Sequence, residues 1–367
     1  MAKNIKTIAA LIALTAVLAF SACATPGSSQ TVTRTNTQTI TVTKTPDNTG
    51  TPVFPLTIKT SAFNRGNDLW LDIIQTLEKA PTKILVGGQE LADFMVYMGL
   101  EDMIYGIASP KETTLTGEKK AIMDKIPIIT ENWDVTEEEI YVAADAGVDL
   151  ILTGYVLIGL PSTMDANDLN DLGISLVYAY DMMFEGSYQM DGSHLVSIGS
   201  VFDMYRDLGT LLGVSDRVEQ YVTQQRSEMR AILAKIDESN MPQGRTVWMG
   251  FYRGSTGNVT WNYSGTVLAE CVALCGGKFI EVDGGLVGST LEILLSYDPE
   301  VILYNYNAGI DMPLEKVEAL QDLQAVKNGH VYGSTTMPTT SNTAGLFLSE
   351  WLRKVAGYLY PDVDFNN

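Results

Sequence analysis

Apolar residues recur at helical spacing through one long stretch, Ser215 to Glu238 (SDRVEQYVTQQRSEMRAILAKIDE). They fall at Val218, Tyr221, Val222, Met229, Ile232, Leu233 and Ile236, one stripe broken only by Gln225. Ser215 can cap the start, and Asp216 and Glu219 occupy the first turn, where the helix dipole favours acids. No Gly or Pro intervenes before Pro242 and Gly244. Residues 216–237 therefore predict a rod of roughly 33 Å. On both sides the pattern changes to short apolar runs separated by helical segments. The rod reads as a strut between two α/β halves.

In the first half, strands are expected at Leu56–Thr60, Lys83–Val86, Met103–Ile107, Ile126–Ile129, Val148–Leu152 and Ile174–Tyr178. Helices are expected at Glu90–Met98, Thr136–Ala146 and Asn167–Leu172. The second half repeats this grammar. A strand at Thr246–Met249 leads to a helix at Thr266–Leu274, a strand at Phe279–Val282 and a last amphipathic helix at Phe347–Leu359. TEEEIYVAADAGVDLIL (136–152) matches STLEILLSYDPEVIL (289–303), and DLNDLGISLVYAY (168–180) matches LQDLQAVKNGHVYGS (320–334). Elements matched in the same order indicate an internal duplication. Strands alternating with helices indicate parallel sheets. Two like lobes on one strut leave a cleft between them, and ligands of open parallel sheets bind at the carboxyl ends of strands. That directs attention to Gly87-Gly88-Gln89, Thr153-Gly154-Tyr155, Tyr178 to Met183, Phe251-Tyr252-Arg253 and Tyr304-Asn305-Tyr306-Asn307.

The N-terminus adds a location. Lys3 and Lys6 precede an apolar run from Ile8 to Phe20, then Ser21-Ala22-Cys23. This is a secretion signal, and a small-residue pair before Cys resembles a lipobox that makes Cys23 the lipidated first residue. Residues 24–52 are dominated by Thr with Ser, Pro and Gly, a composition too poor in apolar surface to fold, so they read as a tether. The 367-residue chain carries a net charge of −20, or −22 without the two signal lysines. Such acidity argues against nucleic acid or an anionic membrane surface as partner. The two histidines are far apart in sequence, and Cys271 and Cys275 stand four apart on a helix without further zinc ligands, so they are expected to pack as small hydrophobes. No nucleophile elbow, P-loop or HExxH motif occurs.

From about Pro55 to Asp362 the chain resembles the substrate-binding proteins of iron-chelate and vitamin B12 ABC importers. Pro55-Leu56-Thr57-Ile58, Ala80-Pro81-Thr82-Lys83-Ile84-Leu85, LADFMVYMGLEDMIYGI (91–107), the 136–152 run and LQAVKNGHVY (323–332) carry the resemblance, in family order. Ser61–Lys79 departs from it, because LWLDIIQTLEK reads as helix-like where the family has a hairpin. The resemblance implies two Rossmann-like lobes with parallel sheets, joined by a single long α-helix, with a ligand cleft between them. It also implies one permease-docking Glu at a helix start on each lobe. The matching positions are Glu139, with Glu137 and Glu138 as stand-ins, and Glu292. Trp133 lies six residues before Glu139, the spacing of a ligand-facing Trp in the vitamin B12-binding members.

The expected ligand wall is Gln89, Trp133, Tyr155, Tyr180, Tyr252, Arg253, Tyr304 and Tyr306. Aromatic faces with hydroxyls suit a bulky organic ligand, and Arg253 suits an anionic chelate. The expected division is 1–22 signal, 23–53 tether, 54–197 first lobe, 198–240 bridging segment and 241–367 second lobe. The expected protein is a monomeric, non-enzymatic, extracytoplasmic lipoprotein. It would need no cofactor and would meet metal only inside its chelate. It would deliver a ferric siderophore or haem, or alternatively a corrinoid, to an ABC permease and ATPase. An adhesion or sensory module is the alternative of a different class.

Overall fold

The computed structural model describes residues 54–64, 69–110, 112–132, 135–153, 164, 166–179, 197–239, 243–253, 258–261, 267–280, 291–305, 316–334 and 346–365. All of them fall within the compact unit Thr37–Asn367; the other unit, Met1–Asn36, lies outside the described residues.

The first sheet is wholly parallel and five-stranded. Its strands are β3 (Ile84–Gly87), β4 (Ile104–Ala108), β5 (Ile128–Thr130), β6 (Leu150–Thr153) and β7 (Ser175–Tyr178), in the order β5-β4-β3-β6-β7. The second sheet runs β10-β8-β11-β12, also parallel, with β8 at Thr246–Arg253, β10 at Lys278–Phe279, β11 at Val301–Asn305 and β12 at Val331–Ser334. In both sheets the first strand in sequence has the next parallel strand on one side and two later strands on the other. The duplication read from the sequence is thus a duplication of topology.

A shared hydrogen-bond device marks it too. Asp149, just before β6, accepts the Lys83 amide at 3.0 Å. Glu300, just before β11, accepts the Thr246 amide at 2.9 Å. Each acid joins the entry of its strand to the entry of its parallel neighbour.

Neighbouring strand residues bury on opposite sides, as sheets covered on both faces require. Ile84, Val86, Leu150 and Leu152 of the first sheet enter the same apolar cluster as Val247, Met249, Val301 and Leu303 of the second. Leu85, Ile151, Leu176 and Tyr178 turn to a separate cluster with Val135, Ile140 and Ala143. Trp248, Ile302 and Tyr304 turn to a third with Leu294, Leu320 and Leu323. The two lobes therefore have private outer cores and one common inner core.

The strut makes that core common. Helix α6 (Ser215–Ser239) buries Val218, Tyr221, Val222, Met229, Ile232 and Ile236, with Leu233 half-buried, as the stripe predicts. It lies beside α5 (Ile198–Leu211), where Gly209 permits close approach: a Cβ there would stand 2.7 Å from Val218 Cγ2. It also packs against α10 (Leu348–Leu359). At the first lobe, Arg217 donates to the carbonyl of Met98, which ends α1 (Gln89–Tyr97). At the second lobe, Gln225 is 1% exposed and accepts the Ser349 amide at 3.0 Å, while Glu228 accepts the Ser349 hydroxyl at 2.5 Å. A cation thus sits at a helix C-terminus and an acid at a helix N-terminus, as the helix dipole favours. Tyr221 donates to the carbonyl of Leu346. The Tyr97 ring meets Tyr221 edge-on at 5.8 Å and Phe347 at 5.5 Å, so α1, α6 and the start of α10 share one aromatic contact.

The helix-like reading of LWLDIIQTLEK is corrected. Leu69–Leu77 is β2, paired in full antiparallel register with β1 (Leu56–Asn64). Leu69, Leu71, Ile73 and Leu77 recur at spacing two, with Gln75 between the last pair, which is strand periodicity. Gln75 is 6% exposed and joins the hairpin to the open edge of β7. Its amide donates to Leu176 O at 2.7 Å and accepts from Leu176 N at 2.9 Å, replacing a missing strand neighbour.

Candidate functional site

The carboxyl ends of the strands form one rim on each lobe. On the first lobe, β3 ends at Gly87 and turns through Gly88 (φ 104°) into α1. Gln89 opens that helix at 4% exposure and donates to Asp93 Oδ1 at 2.8 Å. Asp93 is 1% exposed and also accepts the Thr113 hydroxyl at 2.6 Å and the Thr114 amide and hydroxyl at 2.8 Å. Gln89 is thus fastened inside the rim to Asp93, which in turn holds the 113–114 loop. The sequence reading missed Asp93; its signal was an acid among the apolar residues Leu91, Ala92, Phe94 and Met95. Ser109 follows β4 in the left-handed region (φ 52°), with its amide on Thr130 O at 2.8 Å. A non-glycine residue there marks a sharply turned rim.

Trp133, Tyr155, Tyr180 and Tyr306 lie outside the described residues, as do Met182, Met183 and Cys23. Tyr252 and Arg253 do not form the loop expected after Gly250. Strand β8 continues to Arg253, and its last residues pair with β9 (Asn258–Trp261) as an antiparallel extension, Arg253 opposite Asn258. The β-branched and aromatic run Val259-Thr260-Trp261 explains why that partner strand forms. Tyr304 is 1% exposed and packs in the second lobe's outer core. A Cβ at Gly333 would stand 2.4 Å from its ring, so the glycine of β12 leaves room for it. Tyr178, 3% exposed, is likewise core. Both stand at strand ends, yet both point into a lobe.

Of the outer acids, Glu139 closes the cap of its own helix. Thr136 caps α3 (Glu137–Asp145) in a capping box: the Glu139 amide donates to Thr136 Oγ1 at 3.2 Å, and Glu139 Oε2 accepts the Thr136 amide at 2.7 Å. One carboxylate oxygen of Glu139, Oε2, is thus held by Thr136 at the start of its own helix. Glu138, the second residue of α3, is exposed. Glu292 is exposed and stands in α8 (Leu291–Tyr297).

The signature LQAVKNGHVY folds as the short helix α9 (Gln324–Lys327). Gly329 ends it at φ 71°, and the His330 amide returns to Ala325 O at 2.8 Å before β12 begins. Asp298 receives the Gln324 amide at 2.8 Å, and that bond holds its carboxyl below the usual carboxylate range.

Cys271 and Cys275 are free thiols buried on α7 (Val267–Leu274) and its following turn. Burial pushes Cys275 up to about 12 and Cys271 well above the usual thiol value. Among the described residues no group of His, Cys, Asp and Glu is placed to hold a metal, and no helix is long and apolar enough to cross a membrane.

Residues 181–336 match the family model described as "Periplasmic binding protein". No curated protein matches the sequence. A periplasmic binding protein from Veillonella parvula superposes with a TM-score of 0.63 at 18% identity, covering 83% of this chain and 98% of that one. An ABC-type Fe3+-hydroxamate transport system structure from Saccharomonospora viridis gives 0.62 at 20% identity, covering 84% and 99%. A periplasmic heme binding protein from Pseudomonas aeruginosa gives 0.58 at 16% identity, covering 77% and 94%. The fold is that of the periplasmic binding proteins, and the family's sequence pattern runs through the bridging segment and most of the second lobe.

Proposed function

We propose that this chain is the extracytoplasmic solute-binding component of an ABC importer, and that it captures a metal chelate, a ferric siderophore or haem, between its lobes. The observation that carries the reading is the match of residues 181–336 to the periplasmic binding family on a body of two duplicated lobes. The solved structures it superposes on support the ligand class, since they include a protein of Fe3+-hydroxamate transport and a heme binding protein. Cys23 anchors the chain to the outer face of the membrane, and the Thr-rich tether holds the body off the surface. Binding rests on the loops after the strands, with Trp133, Tyr155, Tyr180 and Tyr306 on the wall and Tyr252 and Arg253 on the β8–β9 extension. The protein performs no chemistry; it delivers its load to a permease driven by a cytoplasmic ATPase. Glu138 and Glu292 provide the charged contacts with that permease.

The test is titration of tryptophan fluorescence with haemin, a ferric hydroxamate and cobalamin at micromolar protein. Saturable quenching by haemin or the ferric hydroxamate, lost in Trp133→Ala, is the expected result. A response to cobalamin alone would move the assignment to a corrinoid. Silence with all three would remove the chelate reading.

A further inference from the structure

Of the exposed large apolar side chains among the described residues, two are consecutive on α3: Tyr141 at 49% and Val142 at 54% exposure. They stand three and four residues after Glu138 and four and three before Asp145, both exposed acids, so all four share one helix face. The opposite face buries Ile140 and Ala143. An apolar pair in the middle of a solvent face does nothing for the lobe's own core. Charge indicates what covers it. Residues 131–146 hold six acids (Glu131, Asp134, Glu137, Glu138, Glu139 and Asp145) and no Lys or Arg. A partner for this face must present an apolar spot bordered by positive charge.

Among the described residues of α8 no equivalent pair stands beside Glu292. On α8, Leu295 follows Glu292 at three residues but is half-buried, and Ser296 at four is polar. Tyr297 is 41% exposed but lies five residues on, about 140° around the axis from Glu292.

We propose that the importer's permease docks asymmetrically, gripping the first lobe through Tyr141 and Val142 beside Glu138, and the second lobe through charge at Glu292 alone. This inference rests on the importer reading above. It has a physical consequence. Charge contacts are screened at high salt, where the Debye length falls to about 3 Å at 1 M. Apolar contact is not weakened by salt. Binding that survives high salt should therefore depend on α3 of the first lobe.

The experiment measures binding of the full mature chain to the cognate permease–ATPase complex in nanodiscs, at low salt and near 1 M NaCl. The double variant Tyr141→Ala, Val142→Ala keeps α3 intact, since Ala is the strongest helix former. It should bind about tenfold more weakly than wild type at both salts, a difference of about 1.4 kcal/mol. The double variant Glu138→Gln, Glu292→Gln should weaken binding at low salt and match wild type at high salt. Unchanged high-salt binding by the alanine variant would overturn the asymmetric contact while leaving the importer reading in place. Light scattering that shows wild type dimerising, and the alanine variant not, would also overturn it by making the face a self-association surface. Absence of wild-type binding at either salt would defeat the importer reading, and this contact with it.

Discussion

At the residue scale, the most informative position is Gln225, the one polar break in the α6 stripe. It is as buried as the apolar residues around it, because it meets a helix end and not a core. The first amides of any helix have no partner inside that helix. At α10 the residue before the helix is Phe347, whose side chain cannot cap, and Gln225 supplies the acceptor from a neighbouring element. Replacing Gln225 with Ala leaves the Ser349 amide buried without that acceptor. The expected cost is about 1–3 kcal/mol, read as a lower urea midpoint at unchanged slope. An unchanged midpoint would show that Glu228 alone suffices. Glu139 carries a related lesson. As an acid in a first turn it reads equally as a docking or a capping residue, and only the structure shows that its Oε2 caps α3.

At the element scale, the β1–β2 hairpin shows how a side chain can stand in for a strand. Edge strand β7 would leave the Leu176 amide and carbonyl open on the side away from β6, and the Gln75 amide satisfies both. In Gln75→Ala the Leu176 amide should lose hydrogen-exchange protection, while the amides of β3 in the sheet centre keep theirs. Equal protection in variant and wild type would mean that backbone packing alone covers the edge. The strands, helices and long strut were legible because burial imposes a period of two or 3.6 on sequences that face a core. The hairpin was misread because Ile73-Ile74 and Leu77 fit a helical stripe nearly as well as an alternating one. A nine-residue window cannot choose between these without knowing which face is covered.

At the scale of the whole molecule, the common inner core changes how the lobes relate. Strands of both sheets and the stripe of α6 belong to one apolar cluster, so neither lobe completes its core alone. The protein should therefore unfold in a single transition, with tryptophan fluorescence and far-UV circular dichroism coinciding and calorimetric and van't Hoff enthalpies equal. Two separated transitions would show that the lobes are independent. The strut contributes stiffness in the same way: it is pinned by Arg217 to α1 and by Gln225 and Glu228 to α10, so bending it would strain contacts at both ends.

The sequence by itself determined the α/β class, the duplication, the length and buried face of α6 and the order of elements. These follow from local periodicity and from a pattern that occurs twice. It also marked which segments follow strands, and hence where a ligand would be met. Only the tertiary structure decided which way a residue at a strand end points. Tyr178 and Tyr304 turn into the lobes, Gln89 is fastened to Asp93, and Tyr252 and Arg253 ride on a strand extension. The reason is physical. A strand's alternation fixes that successive side chains face opposite ways, but which way is inward depends on the layer packed against each face. That layer comes from elements distant in sequence. For the same reason α6, first legible as a strut between two halves, proves to be the shared wall of both.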